Sequence, residues 1–232
     1  MFFVYRPFPP CTSQKPILAA VGKADDLSEH AVFPCPEEWA AVRRMQSYTR
    51  RREWIASRAV LRILTALTTA CDHPLDAKII KNCYGRPTVR LVKQGVWVDV
   101  ACSISHKEGW VAVCLAEDGV TAVGIDIETV SERPVRLAGA FSHEKDCAAG
   151  IEDARRKYTL LWSCKEAASK VLGLGLLVDY KKIVAVVDDA GRIHIDFNGE
   201  VEMEGTAMHL DDAVVVCCRS CRPLTNRNGF SA

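Results

Sequence analysis

The chain has 232 residues, of which 49% are hydrophobic and 25% charged, and this composition is typical of a globular protein with a buried core. Its 30 lysines and arginines balance 29 acidic residues, and the resulting net charge of +1 argues against a dedicated nucleic-acid-binding protein. No apolar run reaches the roughly 20 residues that cross a bilayer, and Pro7 interrupts the apolar start. We therefore expect a cytoplasmic protein without membrane association.

The first half of the chain is predicted to contain a helical region followed by strands. Residues 1–35 are punctuated by prolines and predict loops with one or two strands. A helical pattern with interruptions covers about 37–69, where apolar residues recur at intervals of three and four. Strand patterns follow from residue 76, with turn signals at 84–87 and 117–119.

The second half repeats this order of elements. A strand at 122–128 is followed by a predicted loop through Pro134 and a predicted helix at 151–172, which glycines terminate. A loose tail is expected from about residue 223. Three further strands are predicted, at 182–187, 192–197 and 213–218.

The repeated order predicts an α+β fold made of two similar subdomains related by a pseudo-two-fold axis. We place them at residues 1–118 and 119–232. Helices and strands are clustered rather than alternating as βαβ units, and this disfavours a doubly wound parallel sheet.

The 11 cysteines do not predict a disulfide framework, because an odd number spread through a chain of this length is not typical of one. Cys218 and Cys221 have the spacing of a zinc or redox pair, but a zinc site would need a second pair nearby. We interpret the cysteines as reduced and structural.

Arginines are concentrated in the first helical region, where seven of them and one acidic residue, Glu53, lie between Arg43 and Arg62. One interpretation is a solvated helix face. The other is a phosphate site, because Arg50–Arg52 have no neighbouring carboxylate and guanidinium groups bind phosphate bidentately.

An acidic strand and a later helix suggest a metal site. Asp126 and Glu128 lie on the same face of the strand at 122–128, since strand side chains alternate. Glu166 and Lys170 are one turn apart on the helix at 151–172. Either pattern alone is more often a solvated surface, but three carboxylates together with lysines suit Mg²⁺ and phosphate.

These segments resemble the signature of the surfactin-type 4'-phosphopantetheinyl transferases. The resemblance rests on Val-Gly-Ile-Asp-Ile-Glu at 123–128 followed by Trp-Ser-Cys-Lys-Glu-Ala-Ala-Ser-Lys at 162–170. Upstream segments at 58–62, 85–87 and 103–106 match in the same order. The resemblance to this family therefore covers roughly residues 45 to 180.

The resemblance implies transfer of the phosphopantetheine arm of coenzyme A to a serine of an apo acyl or peptidyl carrier protein, with release of adenosine 3',5'-bisphosphate. Mg²⁺, or alternatively Mn²⁺, would be held by Asp126, Glu128 and Glu166. Glu166 would also be the general base, directly or through water. Lys165 and Lys170 would contact phosphate beside the metal.

Further residues are implied as coenzyme A contacts. Arg51 and Arg58 would hold the 3'-phosphate, and Ser105 and His106 would bind the diphosphate or 3'-phosphate. The adenine would be lined by Gly85, Arg86 and Pro87.

The chain departs from the family pattern at two positions. Arg86 stands where many relatives have lysine. Glu144 stands one position nearer to the Phe-Ser pair at 141–142 than the acidic residue expected there.

Two other functions remain as alternatives to a monomeric transferase. A non-catalytic coenzyme A or carrier-binding module of the same fold would be favoured by loss of an acidic residue, yet all three are present. A different Mg²⁺-dependent phosphotransfer enzyme would be expected to carry a glycine-rich phosphate loop, which the sequence lacks. The carrier protein and its pathway, among them fatty-acid, polyketide, peptide and siderophore synthesis, are not indicated by the sequence.

Overall fold

The computed structural model describes residues 2–8, 16–26, 36–68, 73–82, 85–93, 95–116, 122–222 and 224, except for the side chains of Lys93 and Leu176. The predicted turn at 117–119, the boundary between residues 118 and 119, and nearly all of the predicted tail lie outside these ranges. Tyr84, the first residue of the other predicted turn, also lies outside them.

The first half forms a six-stranded antiparallel sheet with two helices. In space the strands follow the order β1-β2-β6-β5-β4-β3. The elements are β1 (Phe2–Tyr5), β2 (Ile17–Lys23), α1 (Pro36–Arg43), α2 (Tyr48–Thr68), β3 (Lys78–Lys81), β4 (Pro87–Lys93), β5 (Val96–Lys107) and β6 (Trp110–Ala116).

The second half forms another six-stranded sheet with two helices. Its strand order is β7-β12-β11-β10-β9-β8, and only the short pairing of β8 with β9 is parallel. The elements are β7 (Val123–Thr129), α3 (Glu132–Phe141), β8 (Cys147–Ala148), α4 (Ala154–Leu172), β9 (Ile183–Val187), β10 (Arg192–Phe197), β11 (Val201–His209) and β12 (Ala213–Ser220).

Both halves share one topology. In the first, β2 leads through α2 to the four consecutive strands β3–β6, and β6 returns to pair with β2. In the second, β7 leads through α4 to β9–β12, and β12 returns to pair with β7. The prediction of two similar α+β halves is therefore confirmed, although the sequences of the halves show almost no similarity.

The helical pattern with interruptions predicted at 37–69 is two helices separated by residues 44–47. Other predictions differ from the structure. The predicted loop through Pro134 is helix α3, where the proline occupies the first turn and removes no helical hydrogen bond. Strands β8 and β11 were not predicted at all.

The halves are joined by a common apolar core. One face of β2 and β6 packs against one face of β7 and β12, with Val21, Cys114, Ile125 and Val215 among the buried residues. The other face of β2 and β6 packs against α2. Because β6 is buried on both faces, its sequence is an unbroken apolar run.

Helix α4 packs so closely on β7 that only glycine fits at residue 124. A Cβ atom at Gly124 would lie 2.0 Å from the carbonyl oxygen of Ala167. This contact explains the glycine of the Val-Gly-Ile-Asp-Ile-Glu segment by packing. It also brings the face of β7 that carries Asp126 against α4.

The described cysteines are all unpaired, and Cys218 is buried in β12 while Cys221 is partly exposed just beyond it. None of the described helices has both the length and the apolar character of a membrane span.

Candidate active site

A cleft of about 330 Å³ lies where the two halves meet. Its first wall comes from α2, the end of β3, the start of β4 and the end of β5. Its second wall comes from β7 and α4. The lining residues are Trp54, Arg58, Lys81, Gly85, Pro87, Ile104, Ser105, His106, Asp126, Glu128, Glu166 and Lys170.

Asp126 is the most buried of the three carboxylates in the cleft, with 4% of the residue exposed. Its Oδ1 accepts hydrogen bonds from Ser105 Oγ at 2.9 Å and Lys170 Nζ at 2.8 Å, and its Oδ2 accepts one from Ser163 Oγ at 2.9 Å. Ser105 belongs to the first half and Lys170 to α4, so Asp126 connects both walls of the cleft.

Glu128 points to the same face of β7 and is held by two donors. Lys107 Nζ lies 2.9 Å from its Oε2, and Trp162 Nε1 donates to its Oε1 at 3.3 Å. Burial raises the pKa of Glu128, and the negative charge of Asp126 raises it further.

Glu166 faces these two residues from α4. Its Oε1 accepts a hydrogen bond from Tyr180 Oη at 2.7 Å. Burial is the main cause of its raised pKa, and the charge of Asp126 adds to it. Two carboxyl groups with raised pKa values beside a third carboxylate mark a site of mutual repulsion, which a bound cation would relieve.

The first wall of the cleft is cationic. The guanidinium of Arg58 stacks on the ring of Trp54 at 3.4 Å, and burial lowers the pKa of this arginine to about 10. Lys81 has a lowered pKa because of burial and the nearby charge of Arg58. These groups would bind a phosphate-rich ligand favourably, since an anion would offset their incomplete solvation.

His106 completes this wall. Its Nδ1 lies 3.1 Å from Glu53 Oε2, and the other oxygen of Glu53 accepts a hydrogen bond from the backbone N–H of Gly109 at 2.6 Å. Burial lowers the pKa of His106, although Glu53 opposes the shift. The ring is thus fixed in orientation by a buried carboxylate.

Lys165 does not line the cleft, where the predicted contact with phosphate would place it. Its side chain is fully buried, with Nζ 2.8 Å from Asp146 Oδ2. The same nitrogen donates to the backbone carbonyls of Tyr180 and Ile183. Lys165 and Glu166 are adjacent on α4 and therefore point to different sides of the helix, which explains why only one reaches the cleft.

Arg51 and Arg86 also lie outside the cleft lining. Arg51 is half-buried on α2, and its Nε has no hydrogen-bond partner among the described residues. The side chain of Arg86 lies against Gly173 at the end of α4. Gly85 and Pro87, by contrast, line the cleft directly.

The arginine run is only partly available for a ligand. Arg52 forms an ion pair with Asp25 at 3.1 Å, so the expectation that no carboxylate is near this run was wrong for that residue. Asp25 is far away in sequence, and only the fold brings it to α2.

The three carboxylates fit a hard divalent cation by their chemistry, because Mg²⁺ prefers carboxylate oxygens. In the described part of the chain, no three carboxylate, histidine or cysteine side chains are close enough to share one ion. Protein donors hold the carboxylates instead, as described above for Asp126 and Glu128. Coordination therefore requires some of these donors to be exchanged for the ion.

Several residues of this region were not predicted. Among them, Trp54 and Lys81 line the cleft, Asp146 pairs with Lys165, and Tyr180 binds Glu166. The spacing of Trp54 and Arg58, one helical turn apart, could have indicated their contact. Glu144 is exposed and lies two residues before Asp146, the buried partner of Lys165.

Comparison with known proteins finds a similarity in the second half. Residues 122–218 match the family model of the 4'-phosphopantetheinyl transferase superfamily. The matched stretch covers less than half of the chain and shows that this part is similar to that superfamily. The resemblance inferred from the sequence motifs is thereby confirmed.

A relative with a described function supports the same conclusion. Over 102 residues the chain is 31% identical to the 4'-phosphopantetheinyl transferase gsp of Aneurinibacillus migulanus. The aligned stretch covers 42% of this chain and 39% of that protein. The superfamily match includes Asp126, Glu128 and Glu166, whereas the cationic wall lies before it in the sequence.

Proposed function

We propose that this protein is a 4'-phosphopantetheinyl transferase that moves the phosphopantetheine arm of coenzyme A to a serine of an apo carrier protein. The observation that carries the proposal is the single cleft in which Asp126, Glu128 and Glu166 face the cations Arg58 and Lys81. This arrangement suits a substrate with several phosphates and a reaction at phosphorus.

The proposed reaction exchanges one phosphorus–oxygen bond for another. The serine oxygen of the carrier attacks the phosphorus that bears the pantetheine arm. As this bond forms, the bond from that phosphorus to the bridging oxygen of the diphosphate breaks. The leaving oxygen keeps the electron pair and departs as adenosine 3',5'-bisphosphate, and the serine proton passes to a base.

The cationic wall would bind the nucleotide. Arg58 and Lys81 would hold phosphate oxygens, with Arg58 kept in place by Trp54. His106 would donate a hydrogen bond to a phosphate, since Glu53 fixes its ring. Gly85 and Pro87 would contact the adenine through their small surfaces, because neither places a long side chain in the cleft.

The carboxylate wall would perform the proton transfer and bind the metal. Asp126, Glu128 and Glu166 would hold Mg²⁺, with Mn²⁺ as an alternative. When bound there, the ion would neutralise charge on the diphosphate and stabilise the leaving group. Glu166 would accept the serine proton, directly or through a water, because its raised pKa makes it a better base than an ordinary glutamate.

Lys170 would stabilise the charge that develops during transfer. Its Nζ lies 2.8 Å from Asp126 Oδ1 and also donates to the carbonyl of Ile125 at 2.7 Å. These two bonds hold the ammonium at the floor of the cleft. Preorganised cations of this kind lower barriers for phosphoryl transfer.

The carrier protein would dock on α3, which directly follows the acidic strand. Leu137 is 42% exposed, and with Arg133 and Arg136 it lines a shallow surface depression. Carrier domains tend to be acidic, so exposed arginines around an apolar side chain would complement them. The active unit would be a monomer, because one chain supplies both walls of the cleft.

The test is mass spectrometry on a panel of apo carrier proteins incubated with the protein, coenzyme A and Mg²⁺. The proposal predicts that at least one carrier gains the mass of one phosphopantetheine arm at its serine. It also predicts release of adenosine 3',5'-bisphosphate in equal amount. Binding of coenzyme A and carrier without any mass gain would instead indicate the non-catalytic module.

A further inference from the structure

Tyr180 lies within the stretch that matches the superfamily but outside the short motifs singled out in the sequence, and its hydroxyl contacts a carboxylate of the cleft. It lies in the connection between α4 and β9. The hydroxyl donates to Glu166 Oε1 at 2.7 Å. The other oxygen, Oε2, accepts no hydrogen bond from the residues that the structure describes. One half of this carboxylate is therefore held, and the other is free for a ligand or a proton.

The ring of Tyr180 is fixed by an aromatic stack. Its centroid lies 5.1 Å from that of Trp162, and Trp162 in turn meets Phe141 edge-on at 5.1 Å. Trp162 donates its own N–H to Glu128. Two neighbouring aromatic side chains thus each bind one carboxylate of the cleft, and packing restricts the motion of both.

The backbone of Tyr180 is fixed as well. Its carbonyl accepts a hydrogen bond from Lys165 Nζ at 3.1 Å, and Lys165 is anchored by the buried carboxylate of Asp146. Asp146 also accepts bonds from the backbone N–H groups of His143 and Ala185. The buried lysine beside Glu166 therefore acts on the cleft through Tyr180 and not by direct contact.

We propose that Tyr180 is a positioning residue that orients the Glu166 carboxylate for metal binding and proton transfer. The inference rests on the proposed function. Side chains that hold metal-binding groups in place affect metal affinity and activity by roughly 10–100-fold when removed. Tyr180 does not itself touch the reacting atoms in this proposal.

The test compares the unchanged protein with Tyr180→Phe, which removes one oxygen and keeps the ring packed against Trp162. The expected result is a kcat about 10-fold lower or more, with an unchanged KM for coenzyme A. Mn²⁺ binding to the protein without coenzyme A, followed by electron paramagnetic resonance, should weaken by a similar factor. The melting temperature should stay close to that of the unchanged protein.

Tyr158→Phe provides the matched control, because this tyrosine lies on α4 in the same half and packs against the core. Its kinetics and Mn²⁺ affinity should equal those of the unchanged protein. Equal kcat and equal Mn²⁺ affinity in Tyr180→Phe would overturn the positioning role alone. An unchanged protein that modifies no carrier would overturn the proposed function, and this inference with it.

Discussion

Lys165 and Glu166 are sequence neighbours with opposite surroundings, and the pair illustrates what a motif can predict. The motif indicated a functional lysine and glutamate side by side. The structure puts the glutamate in the cleft and the lysine in a buried ion pair whose side chains are 0% and 3% exposed. The sequence alone did not reveal this difference, because Asp146 becomes the partner of Lys165 only in the folded chain.

Replacing Lys165 with methionine is therefore predicted to act mainly on stability. The variant leaves the carboxylate of Asp146 buried without its cation, and breaking a buried pair typically costs about 3–5 kcal/mol. Urea denaturation of Lys165→Met should show this loss. If Lys165→Met were as stable as the unchanged protein but inactive and weak in coenzyme A binding, the result would instead support a direct contact between Lys165 and phosphate.

Gly124 gives a second prediction at the residue scale. Gly124→Ala would place a methyl group against the Ala167 carbonyl, and overpacking of this kind costs about 1–3 kcal/mol or more. The free energy of unfolding should fall accordingly in urea denaturation. Gly139→Ala is the control, because a Cβ there meets nothing within 4 Å. Because Gly139 lies inside α3, Gly139→Ala should raise the free energy of unfolding by about 1 kcal/mol. Equal effects of Gly124→Ala and Gly139→Ala would contradict the explanation by packing.

At the scale of elements, the chain patterns predicted the strongly amphipathic and apolar segments but missed helix α3, the two-residue strand β8 and strand β11. Strand β11 alternates apolar and polar residues, yet its central Gly205 and two glutamates disguise the pattern. A Cβ at Gly205 would lie 2.8 Å from Cys218 Sγ, so this glycine serves close packing and not a turn. Helix α3 was missed because Pro134 was interpreted as a loop signal.

Helix α3 is also where carrier recognition can be tested. Changing Arg133 and Arg136 together to glutamate should raise the KM for an acidic carrier about 10-fold or more, since each reversal turns attraction into repulsion. The KM for coenzyme A should not change. Steady-state kinetics with carrier and coenzyme A varied separately measure both constants.

Arg192→Glu is a suitable control for charge alone, because Arg192 is 80% exposed at the start of β10. It should leave both constants unchanged, because its ion pair with Asp188 is exposed and contributes little. A similar rise in the carrier KM for this control would argue that the net charge, and not α3, determines carrier binding.

At the scale of the molecule, the repeated order of elements was sufficient to predict two similar α+β halves. The prediction used only the order of helices and strands along the chain. The halves share one topology because the last strand of each returns to pair with its first central strand, β6 with β2 and β12 with β7. The way the halves meet was not predictable in detail. It depends on Ser103 and Ser105 of β5 reaching β7, where they bind the Ile125 N–H and Asp126.

The junction of the halves is also where the proposed activity resides. Neither wall of the cleft has both the cations for a nucleotide and the carboxylates for a metal and a proton. Joining them through the core of β2, β6, β7 and β12 gives one site with both. A catalytic cleft between two similar halves is thus the central claim.

The most direct test compares Glu166→Ala with the unchanged protein. For each, the rate at which holo-carrier forms and the affinity for coenzyme A are measured. The account predicts steady, Mg²⁺-dependent transfer by the unchanged protein. Glu166→Ala should still bind coenzyme A but transfer at least about 100-fold more slowly, as expected for loss of a general base and metal ligand. Transfer by Glu166→Ala at a near-normal rate would contradict the claim.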